Sequence, residues 1–336
     1  MPRPRRSRHA VIGFLLRRLV NYVALCLVAT FAAFSMASLA FSPLDGLKLR
    51  NPPPPQATID AKAAELYLNQ PIPERFFTWL GGVLQGNFGR TITDHPITDE
   101  LLRRMGVSLR LFILGITIGV VIGVLLGVVS AIRQYKISDY LATTFSFVVL
   151  STPVFVIATI LKAGAQSVND NVLDGYQFFI VQGENSSGLS GGFGEALLDR
   201  VQHLIVPTLA IVLTQVAYYS RYQRSAMLDV LGSDFLRTAQ AKGLTRRRAL
   251  FKHGLRTALI PMATLFAFGF GLLVTGGIFT EKIFGWYGMG DWLVTGIQQQ
   301  DTNIVATVTL FIAVCVLFAG WLSDVLYAVL DPRVRI

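Results

Sequence analysis

Long apolar runs alternate with polar segments along this chain of 336 residues. An α-helix rises 1.5 Å per residue, so about 20 apolar residues cross the roughly 30 Å hydrocarbon core of a bilayer. The runs of this length predict an all-α, polytopic membrane protein with six transmembrane helices. The predicted spans are residues 19–41, 107–131, 140–163, 201–222, 259–282 and 303–329.

The remaining polar segments predict which parts of the chain lie outside the bilayer. A basic N-terminus, residues 1–18, precedes a single transmembrane domain, residues 19–336. The first apolar run is longer than the roughly 7–15 residues of a secretory signal, so we expect it to be retained as the first span. The predicted extracytoplasmic loops are 42–106, 164–200 and 283–302, and the predicted cytoplasmic loop is 223–258.

Composition and charge agree with a membrane protein. Hydrophobic residues make up 52% of the chain and charged residues only 15%, against about 25% charged residues in an average soluble protein. Most lysines and arginines lie in the predicted cytoplasmic segments, whereas most acids lie in the predicted external ones. This asymmetry is typical of membrane topology and predicts that both termini are cytoplasmic. It also explains the net charge of +10 better than nucleic-acid binding does, and we expect no nucleic-acid partner.

The sequence offers little chemistry of its own. It contains no Gly-x-x-x-x-Gly-Lys-Ser/Thr phosphate loop, so we do not expect the chain to hydrolyse ATP alone. Its four histidines lack metal-ligand spacing, and Cys26 and Cys315 lie inside apolar runs. We therefore predict no catalytic residue, cofactor or metal site in this chain. If ATP powers its activity, the energy has to enter from a separate subunit.

A charged stretch, residues 233–261, interrupts the apolar sequence between the fourth and fifth spans. Ser233 or Asp234 can cap the start of a helix, because a short side-chain oxygen accepts a bond from the free amides of the first turn. Gly243 stands where that helix is predicted to end, since glycine adopts the left-handed conformation without a Cβ penalty. Thr245 can cap a second helix. The stretch therefore predicts a helix, a glycine break and another helix, and the short first helix is free to press against another protein.

Several motifs in the chain resemble one family. TAQAKGL at 238–244 and the residues that follow it resemble the cytoplasmic coupling loop of ABC importer permeases of the dipeptide/oligopeptide type. GNFGRT at 86–91, the segment 281–297 and LDPRVRI at 330–336 resemble the same subfamily. The loop departs from the broad permease consensus, which has Glu-Ala-Ala where this chain has Arg-Thr-Ala at 237–239.

In that family the short helix before the glycine docks into a groove on an ATPase subunit. The resemblance therefore implies a coupling function for this helix and its C-terminal end, with support from residues farther along the loop. The coupling residues are Arg237, Thr238, Ala239, Gln240, Ala241, Lys242, Gly243 and Leu244, and the supporting residues are His253, Arg256 and Pro261. The alternative is a basic cytoplasmic loop that only sets the topology.

The resemblance also implies a function and partners. The chain would be the permease subunit of an ATP-driven importer in a bacterial plasma membrane, and would form half of the pathway for short peptides or similar solutes. Its partners would be a second homologous permease, two ATPase subunits that hold ATP and Mg²⁺, an extracytoplasmic solute-binding protein and membrane lipid. Nickel chelates and glutathione remain open as solutes.

A stand-alone channel or an ion-coupled secondary transporter is the alternative function. Such proteins usually place ionisable groups near the membrane midplane. In this sequence Arg110 lies near the outer end of the second span and Asp324 near the inner end of the sixth. We expect Asp324 to pair with a basic group or to meet water. The missing midplane charge favours the importer subunit.

Two further sets of residues are predicted to shape the transmembrane domain. Glycines spaced by four in the second span share one helix face and predict close packing against another helix; they are Gly115, Gly119, Gly123 and Gly127. A translocation pathway through the third and fifth spans would be lined by Ser151, Pro153, Phe155 and Thr275. Proline removes a backbone donor, so Pro153 also predicts a bend in the third span.

Overall fold

The computed structural model describes residues 8–49, 51, 52, 54–188 and 192–330, and the side chains of all of these except 8–16, 267–276 and 328–330. Within these residues the regular structure is helical. The helices are α1 (Arg8–Ala40), α2 (Asp45–Lys48), α3 (Gln56–Glu65), α4 (Ile72–Leu84), α5 (Ile97–Ile132), α6 (Ile137–Ser151), α7 (Val154–Asn171), α8 (Phe193–Leu231), α9 (Asp234–Ala241), α10 (Arg246–Ala249), α11 (Leu255–Phe284), α12 (Met289–Gln298) and α13 (Thr302–Leu330).

The long apolar helices confirm an all-α, multi-pass membrane protein. Among the described residues, four helices are long and apolar enough to cross a bilayer, and the bent pair α6–α7 is a possible fifth span. The four are Arg17–Lys48, Ile97–Ile132, Phe193–Leu231 and Thr302–Tyr327. Helix α11 covers the predicted fifth span, but part of it lies outside the described side chains. The count of six spans therefore remains a prediction.

The predicted third span is divided into two helices that meet at an angle of 107°. The division falls at Thr152, which is extended with φ −98° and ψ 127°. Proline at the next position disfavours the helical conformation of the residue before it and supplies no amide of its own. The Thr152 hydroxyl donates instead to the Val148 carbonyl at 2.7 Å. Pro153 thus separates two helices, a larger change than the bend that we expected.

Several helices extend beyond the predicted spans. Helix α5 begins at Ile97, ten residues before the predicted second span, and its first turn carries Asp99 and Glu100. Helix α8 has 39 residues, or about 58 Å, and continues at both ends past the predicted fourth span. Hydropathy marks the part of a helix that fits the bilayer, whereas polar helical turns outside the bilayer leave no apolar signal.

The described residues divide into two compact units. The first contains Leu109–Trp286 with the described parts of Met1–Leu19 and Phe318–Ile336. In this unit the glycine face of α5 lies directly against α8. A Cβ on Gly115 would come within 2.6 Å of Ile211 Cγ2, and one on Gly127 within 2.5 Å of the Ser220 carbonyl oxygen. Such distances leave no room for a side chain at these positions.

Charged side chains tie other helices of the first unit together. Asp139, at the start of α6, accepts two hydrogen bonds from Arg224 of α8, at 2.7 Å from Nε and 2.9 Å from Nη2. The Asp139 side chain is only 3% exposed, and it also accepts a bond from the Ser130 hydroxyl of α5. Asp324 of α13 pairs with Arg18 of α1 at 3.1 Å, which confirms the expectation of a basic partner.

The second unit comprises Val20–Ser108 and Tyr287–Leu317. Its core contains an apolar cluster of Phe34, Phe76, Trp79 and Ala306. Asp301 caps α13 by accepting from the amides of Asn303 and Ile304 at 3.0 and 3.1 Å. Its carboxylate also accepts a hydrogen bond from the Ile92 amide at 2.7 Å. Burial raises the pKa of this carboxyl.

The segment 281–297 contains two tryptophans, Trp286 and Trp292. Tryptophans of membrane proteins are common in the headgroup belt, where one end of the ring is wet. Both are buried inside the protein, and Tyr287 alone of this aromatic group is exposed. The Arg104 guanidinium lies 5.5 Å above the Trp292 ring and pairs with Asp291 at 3.2 Å. Packing within the second unit therefore covers Trp292.

Candidate functional site

The charged loop after α8 contains the short amphipathic helix α9. Leu236 and Ala239, three residues apart, share one helix face. Leu236 is buried in an apolar cluster with Val128 of α5 and Met227 of α8, and Ala239 packs at the edge of this cluster. The opposite face is left open. Helix α9 is thus held on the core of the first unit by one face only.

Both ends of α9 are well defined. Gly243 has φ +91°, the left-handed conformation that favours glycine, and its amide donates to the Gln240 carbonyl at 2.9 Å. At the other end Ser233 occupies the N-cap position, but its side chain does not cap the helix. Its hydroxyl donates to the Val230 carbonyl of α8 at 2.5 Å instead. The predicted glycine stop is present, and the predicted Ser233 side-chain cap is wrong.

The outward face of α9 is polar and basic with one aromatic side chain. Arg237, Thr238, Ala241 and Lys242 are exposed on this face and at the end of the helix, and Gln240 is half-buried. Arg237 makes a long ion pair with Asp234 at 3.4 Å, in which both side chains are highly exposed. An exposed pair of this kind contributes little to stability. These side chains are therefore available to another protein.

Phe235 is a member of this face that the sequence analysis did not single out. It is 43% exposed and lies directly before Leu236, which points into the core. An aromatic side chain on an exposed basic face is a typical anchor in protein interfaces. Two adjacent apolar residues, 235 and 236, in the short helix of a charged loop cannot both face the core. This pattern is the sequence signal that could have identified Phe235.

The chain after Gly243 supports α9 from the side. The Thr245 hydroxyl accepts from the Arg248 amide at 3.4 Å, which confirms the predicted second cap. A π-helical turn, Leu250–Gly254, then leads into α11. Gly254 is tightly packed: a Cβ there would lie 3.1 Å from Val230 and 3.2 Å from Leu236. This turn therefore fixes α11 close to the buried side of α9.

The predicted supporting residues lie on this segment and on α11. The His253 side chain is exposed, and its carbonyl oxygen accepts from the Thr257 hydroxyl at 3.1 Å. Arg256 is exposed as well. Pro261 lies inside α11. Their supporting function remains a prediction.

Three of the predicted pathway residues lie together where the third span is divided. Ser151 ends α6, Pro153 precedes α7, and Phe155 lies in the first turn of α7. The Phe155 ring is 47% exposed and lies 6.1 Å from the ring of Phe279 on α11. The side chain of Thr275 lies outside the described residues. Whether these residues line a pathway remains a prediction.

The chain is similar in sequence to known transport proteins. Residues 123–336 match a family described as "Binding-protein-dependent transport system inner membrane component". The oligopeptide transport system permease protein OppB of Mycobacterium tuberculosis is 58% identical over 323 residues, which cover 96% of this chain and 99% of that protein. The oligopeptide transport system permease protein AppB of Bacillus subtilis is 33% identical, over 96% of this chain and 99% of that protein. The dipeptide transport system permease protein DppB of Escherichia coli is 32% identical, over 81% and 84% respectively.

Proposed function

The chain belongs to the family of binding-protein-dependent transport system inner membrane components, and we propose that it is the permease subunit of an ATP-driven importer of short peptides or similar solutes. It forms half of the translocation pathway, and a second homologous permease forms the other half. An extracytoplasmic binding protein delivers the solute, and two ATPase subunits bind ATP and Mg²⁺. The names of the relatives support peptides as the solute class.

The observation that carries this proposal is the one-sided packing of α9. Its buried face is fixed to α5 and α8 through Leu236, and its outward face presents a phenylalanine and basic side chains. A helix held in this way transmits a push on its outer face to the two long helices beneath it. When the ATPase subunits close on ATP, they move α9, and α5 and α8 move with it.

The Asp139–Arg224 pair extends this coupling to α6. Arg224 lies on α8 seven residues before α8 ends, and its partner begins the helix that leads to the division at Thr152 and Pro153. Displacement of α8 therefore acts on α6 and on the candidate pathway residues around Phe155. We propose that this region opens alternately to the two sides of the membrane.

The proposed site of action is the bacterial plasma membrane, with both chain termini and α9 in the cytoplasm. The distribution of charge supports this orientation, since basic residues predominate in residues 1–18 and 223–258. The same orientation presents α9 to ATPase subunits, which have access to cytoplasmic ATP.

Co-purification tests the contact that this proposal requires. The tagged chain is expressed with its ATPase subunits, and the amount of ATPase retained is measured by quantitative immunoblot. We expect retention to fall at least tenfold when Arg237→Glu and Lys242→Glu reverse the charge of the outward face, and to fall also with Phe235→Ala. The matched control is Arg133→Glu with Lys136→Glu, which reverses two exposed basic residues in the turn between α5 and α6.

The two sets of variants separate a specific contact from a general loss of charge. Equal retention by the α9 variants and the unmodified chain would contradict the proposal. An equal loss of ATPase retention in the control would also contradict the proposal. The ATPase would then be retained by basic surfaces in general and not by α9.

A further inference from the structure

A polar cleft of about 280 Å³ opens between α6 and α8 in the first unit. Side-chain hydroxyls dominate its polar lining, and they come from three helices: Ser130 of α5, Thr143 and Ser146 of α6, and Ser220 and Ser225 of α8. Ser146 and Ser220 are hydrogen-bonded to each other at 3.0 Å across the cleft. The hydroxyls of Ser130 and Thr143 donate to the Asp139 carboxylate, whereas the exposed hydroxyl of Ser225 can donate to an oxygen-rich ligand.

The charges at this cleft do not balance. Arg221 and Arg224 both line it, and the Asp139 carboxylate that neutralises Arg224 engages Nε and Nη2 of that guanidinium. Among the described residues Arg221 has no carboxylate partner, and its guanidinium lies over the Phe147 ring at 4.9 Å. The cleft thus carries one positive charge in excess. This excess favours an anion.

The position of Arg221 along α8 suggests where the anion comes from. Arg221 lies at the end of the predicted fourth span, where an arginine has to reach the phosphate layer to avoid a high cost in the hydrocarbon. Two exposed tyrosines lie close in sequence to residues that line the cleft, Tyr222 beside Arg221 on α8 and Tyr140 near Thr143 on α6. Tyrosine is enriched at the headgroup level of membranes. These features place the cleft at the membrane surface.

Apolar side chains continue from the cleft along α6. Leu141, Phe147 and Val148 are all exposed, and a lipid whose headgroup enters the cleft can lay its acyl chains against them. Basic pockets between transmembrane helices on the cytoplasmic side bind the phosphates of anionic lipids. A free peptide carboxylate would use the positive charge but would leave this apolar surface uncovered.

We propose that the cleft between α6 and α8 binds the phosphate headgroup of an anionic phospholipid, with Arg221 as its cationic contact and Ser225 as a hydroxyl donor. The bound lipid lies beside the Asp139–Arg224 pair that joins α6 to α8. It therefore stabilises the helix pair that we expect to move during transport.

Native mass spectrometry of the delipidated full-length chain tests this site. The protein is titrated with phosphatidylglycerol or with phosphatidylcholine of the same chain length. We expect tighter binding of phosphatidylglycerol, and an approximately fivefold loss of that affinity in Arg221→Gln, whereas phosphatidylcholine binding stays unchanged. Arg221→Lys retains the charge and is expected to keep most of the preference. The matched control Arg133→Gln removes an exposed arginine outside the cleft and is expected to bind like the unmodified chain.

Three results would overturn the lipid site. The first is equal phosphatidylglycerol affinity in Arg221→Gln and in the unmodified chain. The second is displacement of the lipid by inorganic phosphate, which would make free phosphate the ligand. The third is displacement by a tripeptide with a free carboxylate, which would assign the cleft to the transported solute. Because lipid binding is measured without ATPase subunits or ATP, its failure leaves the proposed transport function untouched.

Discussion

At the scale of single residues, the Asp139–Arg224 pair is the contact whose loss is easiest to measure. Asp139→Asn keeps the size of the side chain but removes its charge, and leaves the partly buried Arg224 without a counter-ion. Removing one partner of a buried pair costs about 3–5 kcal/mol. We expect the midpoint of thermal unfolding in detergent to fall by several degrees, as read by intrinsic fluorescence.

Asp234→Asn is the matched control for this substitution. The Asp234 side chain is 94% exposed and its ion pair with Arg237 is long, so the unfolding midpoint is expected to stay at the value of the unmodified chain. Equal midpoints for both variants would show that the Asp139–Arg224 pair does not stabilise the first unit.

Gly243 supports a second prediction at this scale. An alanine with φ near +91° is strained, which costs about 1 kcal/mol or more. We therefore expect Gly243→Ala to increase amide hydrogen exchange within α9 about fivefold, as measured by mass spectrometry. Gly232→Ala is the control, because Gly232 follows the end of α8 with φ −83° and a Cβ there would make only ordinary contacts, at 3.8 and 3.9 Å, with two backbone oxygens. If amide exchange within α9 became faster in Gly232→Ala but not in Gly243→Ala, the left-handed conformation of Gly243 would not explain its effect on α9.

Residues with a local signal were easier to predict than residues whose partners are distant in sequence. Gly243 and Thr245 could be predicted because a helix end depends on its own few residues. Asp139 was not considered, since it lies just before a predicted span and its partner is 85 residues away. The Ser233 side-chain cap failed for a different reason: the Val230 carbonyl of α8, only three residues away, competes for its hydroxyl.

At the scale of helices, the glycine face of α5 decides how closely α5 and α8 approach. We expect Gly119→Val to push the helices apart, because even a Cβ at this position would overlap the Gln215 side chain. Overpacking costs about 1–3 kcal/mol. The measurement is the monodisperse fraction in size-exclusion chromatography after mild heating, which should fall.

Gly106→Val provides the control on the same helix. A Cβ at Gly106 meets nothing within 4 Å, so the monodisperse fraction should match that of the unmodified chain. A loss of the same size in both variants would assign the effect to valine in α5 and not to contact with α8.

The existence of the long helices followed from the apolar runs, but their ends and their bends did not. Helix α5 begins at Ile97 because the acids of its first turn suit the positive end of a helix, and this signal is independent of hydropathy. Pro153 was read correctly as a disturbance. The angle of 107° between α6 and α7 depends on how both helices pack against α8, and no local pattern encodes it.

At the scale of the whole molecule, the fold class and the family were predictable from the sequence. The apolar runs require a membrane protein, and the motif at 238–244 is specific enough to identify the family that the comparisons establish. The partners are a different matter. A chain carries only its own half of each interface, so the proposed fit of α9 to an ATPase subunit depends on a surface that this sequence does not contain.

Uptake of a labelled peptide into proteoliposomes tests the central claim most directly. The chain is reconstituted with its partner permease, with or without the ATPase subunits, and the binding protein and peptide are supplied on the side from which import starts. We predict uptake only when both ATPase subunits and ATP are present, and at least a tenfold loss with the charge-reversed α9. Uptake by the permeases without ATPase subunits, driven by an ion gradient or by the peptide gradient alone, would contradict the account.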